Sequence, residues 1–140
     1  MDSDDEIAYV LSHEIAHIVA RHSIKRLQAL LGYNLLILLT TGIDSSYKAR
    51  KALSLAFATI ISGYSQEDEL TADRLALKYV KKAGFNPLAG ITVLEKLYKI
   101  EKKEAPHTFS YFRTHPFISQ RIKNIKQYLG VPLEFSDILN

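Results

Sequence analysis

The sequence predicts a mainly helical domain. Apolar residues recur at three- and four-residue spacing in segment after segment, and helix caps and stops bound those segments. No stretch alternates with the two-residue period of a half-buried strand. There is no internal repeat and no low-complexity tract.

The first helix opens on Ser3-Asp4-Asp5-Glu6, which reads as a capping box with Ser3 as N-cap and Glu6 reaching back. Ile7, Val10, Leu11, Ile15, Ala16, Ile18, Val19 and Ala20 then cover almost the whole circumference, which predicts burial at the centre of the domain. Arg21, His22, Lys25 and Arg26 suit its C-terminal end. Leu27-Ile43 is the most apolar segment. A membrane span needs about 20 predominantly apolar residues, and this shorter one holds Gln28, Gly32, Tyr33 and Asn34. It predicts a buried helix or hairpin, with a membrane or partner contact as the alternative.

A turn follows at 42–46, then a third helix striped by Ala49, Ala52, Leu53, Ala56, Phe57, Ile60 and Ile61. Gly63-Tyr64 is expected to break it, and Ser65 with Asp68 to cap a fourth helix that stops at Gly84. Asn86 caps a fifth, opened by Pro87 and packing through Leu88, Ile91, Leu94, Leu97 and Tyr98. Residues 101–114 read as irregular, with Pro106, Phe109, Tyr111 and Phe112. Pro116 opens a last helix striped by Ile118, Ile122, Ile125 and Leu129, which Gly130 stops.

At 140 residues the chain is of single-domain size, 1–140, with 47% hydrophobic and 24% charged residues. A net charge of +3 from scattered basic residues argues against nucleic-acid binding. With no cysteine, disulfides and thiolate metal sites are excluded. Met1 is followed by acids rather than by a signal peptide, and the abrupt start reads as a piece of a longer protein.

The residues that point to chemistry lie in the first helix. In His13-Glu14-Ile15-Ala16-His17 the two histidines, one turn apart, share a face and can reach one metal ion, with a carboxylate beside them. This is the H-E-x-x-H pattern of zinc metallopeptidases, and this composition yields it by chance about once in a hundred chains. A catalytic zinc site needs a third protein ligand and an open position. A third histidine in H-E-x-x-H-x-x-G-x-x-H is ruled out by Ala20 and Ser23, with His22 one residue out of register. Of the acids on the fourth helix, Glu69 and Asp73 fall on the inward stripe with Ala72, Ala76, Leu77 and Val80, whereas Glu67 shares the polar face of Arg74 and Lys78. Buried acids need a partner. Zinc at Glu69, with Asp73 bonding the far nitrogen of a ligating histidine, supplies one; an interior salt bridge to an arginine is the alternative. Glu14 is then the general base towards a zinc-bound water. His115, ahead of the last helix, is either an oxyanion donor or a cap or surface histidine. His22 and His107 read as structural or surface residues.

Three anchors together resemble a known family: Asp5-Glu6-Ile7-Ala8 running into the histidine motif, Glu69-Leu70-Thr71-Ala72-Asp73 as E-x-x-A-D, and Thr114-His115-Pro116 with Arg121-Ile122. The chain resembles the catalytic core of the gluzincin metallopeptidases, which include the CAAX prenyl endopeptidase, HtpX and bacterial periplasmic quality-control proteases. Ala83-Gly84-Phe85-Asn86-Pro87 is similar to the soluble bacterial branch, and Ala76 stands where the family often has glycine. The resemblance implies a zincin-like helical core without the family's usual upstream strands. It implies one zinc ion held by His13, His17 and Glu69, with Glu14 as base. Asp73 would support the ligands, His115 would stabilise the transition state, and Arg121 would act nearby. It further implies a polypeptide substrate and a cell-envelope or membrane-associated location. A zinc-retaining protein-binding module without turnover, and a metal-free helical domain, are the alternatives.

Overall fold

A computed structural model describes residues 2–41, 47–103 and 115–134. Among these residues five helices follow in chain order: α1 Asp4–Val19, α2 His22–Thr41, α3 Tyr47–Lys82, α4 Ala89–Lys103 and α5 Ile118–Leu129. No strand occurs among the described residues. The turn expected at 42–46 and the stretch with Pro106, His107, Phe109, Tyr111, Phe112 and Thr114 lie outside them.

The helix ends follow the capping chemistry. Ser3 Oγ accepts the Glu6 N–H at 3.3 Å, and Glu6 reaches back to the Asp2 N–H at 2.9 Å, one residue earlier than a standard box. Gly84 and Gly130 stop α3 and α5 at φ +83 and +70. Each end closes with the paired backbone bonds of a Schellman motif, Phe85 N–H to Val80 O and Val131 N–H to Lys126 O. Asn86 Oδ1 accepts the Leu88 N–H at 3.0 Å in the turn that opens α4.

The core lies where α1 and the second half of α3 pack together beneath α4 and α5. Tyr9, Leu77, Val80, Ile91, Leu94, Ile118, Ile122 and Ile125 fill it. The contact between α4 and α1 is close. A Cβ on Gly90 would stand 2.7 Å from Tyr9 Cε2, so only glycine lets the Tyr9 ring lie against α4.

The structure corrects several expectations. Only one face of α1 is buried; Ile7, Leu11, Ile15, Ile18 and Val19 are 46–76% exposed on the other. Gly63-Tyr64 does not break the chain, and α3 is one helix of 36 residues. A helical glycine costs only about 1 kcal/mol, and the regular backbone on both sides offsets it. Segment 27–41 is helical, but residues 27–39 are not buried: Leu27, Leu31, Leu35, Leu38 and Leu39 are all more than half exposed. Its half-buried residues Ala29, Tyr33 and Ile37 form one stripe, and Leu53, Phe57 and Ile61 form another on α3. Tyr33 and Phe57 stack between them at 3.9 Å. In α4, Leu88 is 47% exposed, buried Val93 belongs to the core face, and the helix continues past Glu101 to Lys103. Pro116 does not open α5, because Phe117 takes a left-handed conformation (φ 66) and becomes the N-cap.

Candidate metal centre

α1 and α3 cross so that the histidine motif faces the E-x-x-A-D segment. His13 Nε2 and His17 Nε2 stand 3.1 Å apart. Glu69 comes from the opposite helix, 3.4 Å from His13 Nε2 and 3.2 Å from His17 Nε2. Tetrahedral zinc with bonds of 2.0–2.2 Å would hold its donors about 3.3–3.5 Å apart. These two imidazoles and one carboxylate therefore have the chemistry for such an ion, and their separations of 3.1–3.4 Å lie close to its spacing. Glu67 is exposed, as its place on the polar stripe predicted.

His115 arrives from the segment ahead of α5. Its Nδ1 lies 3.4 Å from His13 Nε2 and 3.2 Å from both Glu69 oxygens, so four donor atoms lie within 4.8 Å of one another. Its Nε2 faces Glu14 Oε1 at 3.6 Å. The Glu14 side chain is 47% exposed, outside the buried cluster and at its mouth. A cleft of about 450 Å³ opens there, walled by Arg26, Leu27 and Leu30 of α2.

Behind the donors the polar groups are paired. Asp73 Oδ1 lies 2.9 Å from His13 Nδ1 and accepts from Tyr9 Oη at 2.8 Å. Arg121 donates Nε and Nη2 to Asp73, each at 2.8 Å, and its Nη1 pairs with Glu69 Oε2 at 2.8 Å without an aligned hydrogen bond. Thus Asp73 meets both partners that the sequence offered as alternatives, the histidine and the arginine. Burial alone would raise the Asp73 carboxyl, but the Arg121 charge and hydrogen bonds outweigh it and bring it to about 2. Glu69 is likewise held well below the usual carboxylate range: burial opposes this, and His115, His13, His17 and Arg121 overcome it. At His13, burial lowers the imidazole, but bonds to Asp73 and Glu69 leave it raised. The same surroundings hold Arg121 well above its ordinary value, against the effect of burial.

The seven residues singled out in the sequence thus come together: His13, Glu14, His17, Glu69, Asp73, His115 and Arg121. Sequence reasoning missed Tyr9 and Asp68, and placed His22 among structural or surface residues. Tyr9 sits one turn before His13 on the same face, a signal available from spacing alone. His22 is 4% exposed, with Nδ1 2.9 Å from His17 Nδ1 and Nε2 3.4 Å from Asp68 Oδ1. Nothing in the sequence marked it, because Arg21 turns left-handed (φ 55) and brings it back towards α1.

The family model for peptidase family M48 matches residues 1–129. The chain belongs to that family. It is 31% identical over 130 residues to the mitochondrial metalloendopeptidase OMA1 of Saccharomyces cerevisiae, a match covering 91% of this chain and 37% of that protein. It is 29% identical over 133 residues to the metalloprotease LoiP of Escherichia coli, covering 93% of this chain and 52% of LoiP. To the beta-barrel assembly-enhancing protease of Yersinia pestis it is 31% identical over 135 residues, covering 89% and 27%. The M48 chain thus spans about half, or less, of the length of these relatives. No solved structure matches it. Membership in a metal-dependent peptidase family agrees with the His/Glu donor group, and with a polypeptide as the class of substrate.

Proposed function

We propose that this chain is the catalytic core of a zinc-dependent metalloendopeptidase. The carrying observation is the convergence of His13, His17 and Glu69 at 3.1–3.4 Å, with Glu14 at the cleft mouth. A zinc ion held by those three would supply Lewis acidity towards a carbonyl and a water. Glu14 Oε1 takes up the proton of the attacking water and passes it to the leaving amine. His115 stands beside Glu14 and donates to the oxyanion that develops. Asp73 and Arg121 fix the ring of His13 and the carboxylate of Glu69, so the donors need little rearrangement on binding. The cleft wall of Leu27 and Leu30 offers apolar contact to a peptide.

Glu14→Gln tests the chemistry: zinc content should stay near one per chain while peptide cleavage falls by about 10²–10⁴-fold. Glu69→Gln should weaken zinc retention and Glu67→Gln should not; equal retention in the two would remove Glu69 from the ligand set.

A second reading is favoured by the exposed leucines of α2: a module that retains zinc and binds protein without turnover. Equal inertness of wild type and Glu14→Gln would support it. Contact with a membrane surface or another protein through Leu27-Ile43 is compatible with either reading. Residues 15–66 carry six Lys or Arg and one acid, Asp44, a balance that suits an anionic surface. No helix among the described residues is long and apolar enough to cross a membrane, so such contact would be interfacial. A cell-envelope or membrane-associated location follows from that reading.

A further inference from the structure

The two histidines of the motif differ in what stands behind them. His13 Nδ1 meets the Asp73 carboxylate, itself held by Tyr9 and Arg121. His17 turns Nε2 towards His13 and Glu69, and its Nδ1 faces the Nδ1 of another imidazole, His22, at 2.9 Å. The His17 and His22 rings meet edge to face, 4.9 Å between centroids at 81°, which aims one ring nitrogen at the other.

We propose that His22 and Asp68 are a positioning pair for His17, the counterpart of Asp73 and Tyr9 at His13. Two nitrogens at 2.9 Å require one to donate and the other to accept. A histidine that offers Nε2 to a metal carries its proton on Nδ1, so the donor is His17 and the acceptor is His22 Nδ1. His22 can accept there only with its own proton on Nε2. The Asp68 carboxylate, 3.4 Å from that nitrogen, favours this tautomer. The order is therefore His17 Nδ1–H towards His22 Nδ1, and His22 Nε2–H towards Asp68 Oδ1. A burial of 4% exposure shields the link from competing water. Backbone geometry supports it too: the left-handed Arg21 returns the chain so that the first residue of α2 faces the second ligand of α1. One consequence is an asymmetric centre, in which His13 is backed by an anion and His17 by a neutral ring that a carboxylate orients.

This inference rests on the zinc reading, and zinc affinity of the whole chain tests it through competition with a chromogenic chelator. His22→Phe keeps a ring and removes the acceptor; a loss of about 10- to 100-fold in affinity is expected. His22→Asn returns an amide oxygen near the Nδ1 position and should recover most of that loss. Asp68→Asn frees the tautomer without touching the core and should weaken binding several-fold. Cobalt substitution gives a second readout: the visible ligand-field bands should shift in His22→Phe and return in His22→Asn, which a purely packing role would not produce. Wild-type affinity in His22→Phe, or equal losses in the Phe and Asn variants, would overturn the proposal. If His22→Phe does not fold, unchanged affinity in Asp68→Asn overturns it instead. Failure of the underlying zinc reading looks different, because the wild-type chain itself would then bind no zinc.

Discussion

The two halves of α3 live in different environments. From Ser65 to Val80 the helix carries Glu69, Ala72, Asp73, Ala76, Leu77 and Val80, all nearly inaccessible, and it packs against α1 and α5. From Tyr47 to Ile61 the same helix meets α2 among the described residues, through a seam whose centre is the Tyr33–Phe57 stack, and Leu55 is 60% exposed. Both halves are regular helix, so regular backbone hydrogen bonding does not distinguish them. The difference is tertiary: one half is fixed by a buried ionic cluster and a core, the other, among the described residues, by a half-buried stripe against α2.

That contrast can be tested by cutting each half at its strongest point. Arg121→Leu should have the largest effect. It leaves Glu69 and Asp73 buried without their cation, and about 3–5 kcal/mol of stability should disappear in denaturant titration. Gly90→Ala comes next. Helix propensity alone would favour alanine by about 1 kcal/mol. The clash with Tyr9 at 2.7 Å reverses the sign, with a net loss of about 1–2 kcal/mol and weaker zinc binding, since Tyr9 Oη holds Asp73. A stabilised Gly90→Ala protein would show that Tyr9 yields freely. Phe57→Ala should have the smallest effect, about 1 kcal/mol from the lost stack. Circular dichroism should report loosened α2 while zinc retention stays at the wild-type level. Loss of zinc in Phe57→Ala would mean that the two halves are coupled.

The same division explains what could be read in advance. The site was legible because its chemistry is written at fixed helical spacing: His13 and His17 one turn apart, and Glu69 and Asp73 one turn apart on an inward stripe. The caps at Ser3, Gly84 and Gly130 were legible because they depend on local backbone chemistry. The outer half of α3 was not. Gly63 is a local signal for a break, and a helix can carry one glycine when its neighbours hold. Burial of 27–39 was misjudged because leucine content gives the tendency to be covered, while only tertiary contact decides whether anything does the covering. His22 was missed for a related reason: its role depends on one left-handed residue, Arg21, that composition does not reveal.

The long separation between the partners in the centre has a further consequence. His13 and Arg121 lie 108 positions apart in sequence. During synthesis, which proceeds from the N-terminus, α1 with both its histidines emerges before the guanidinium that pairs with Glu69 and Asp73. Until then, two buried-type acids and two imidazoles remain open to water and to any passing cation. Docking of α5 is the event that closes the cluster, so maturation of the centre waits for a helix made well after its first ligands.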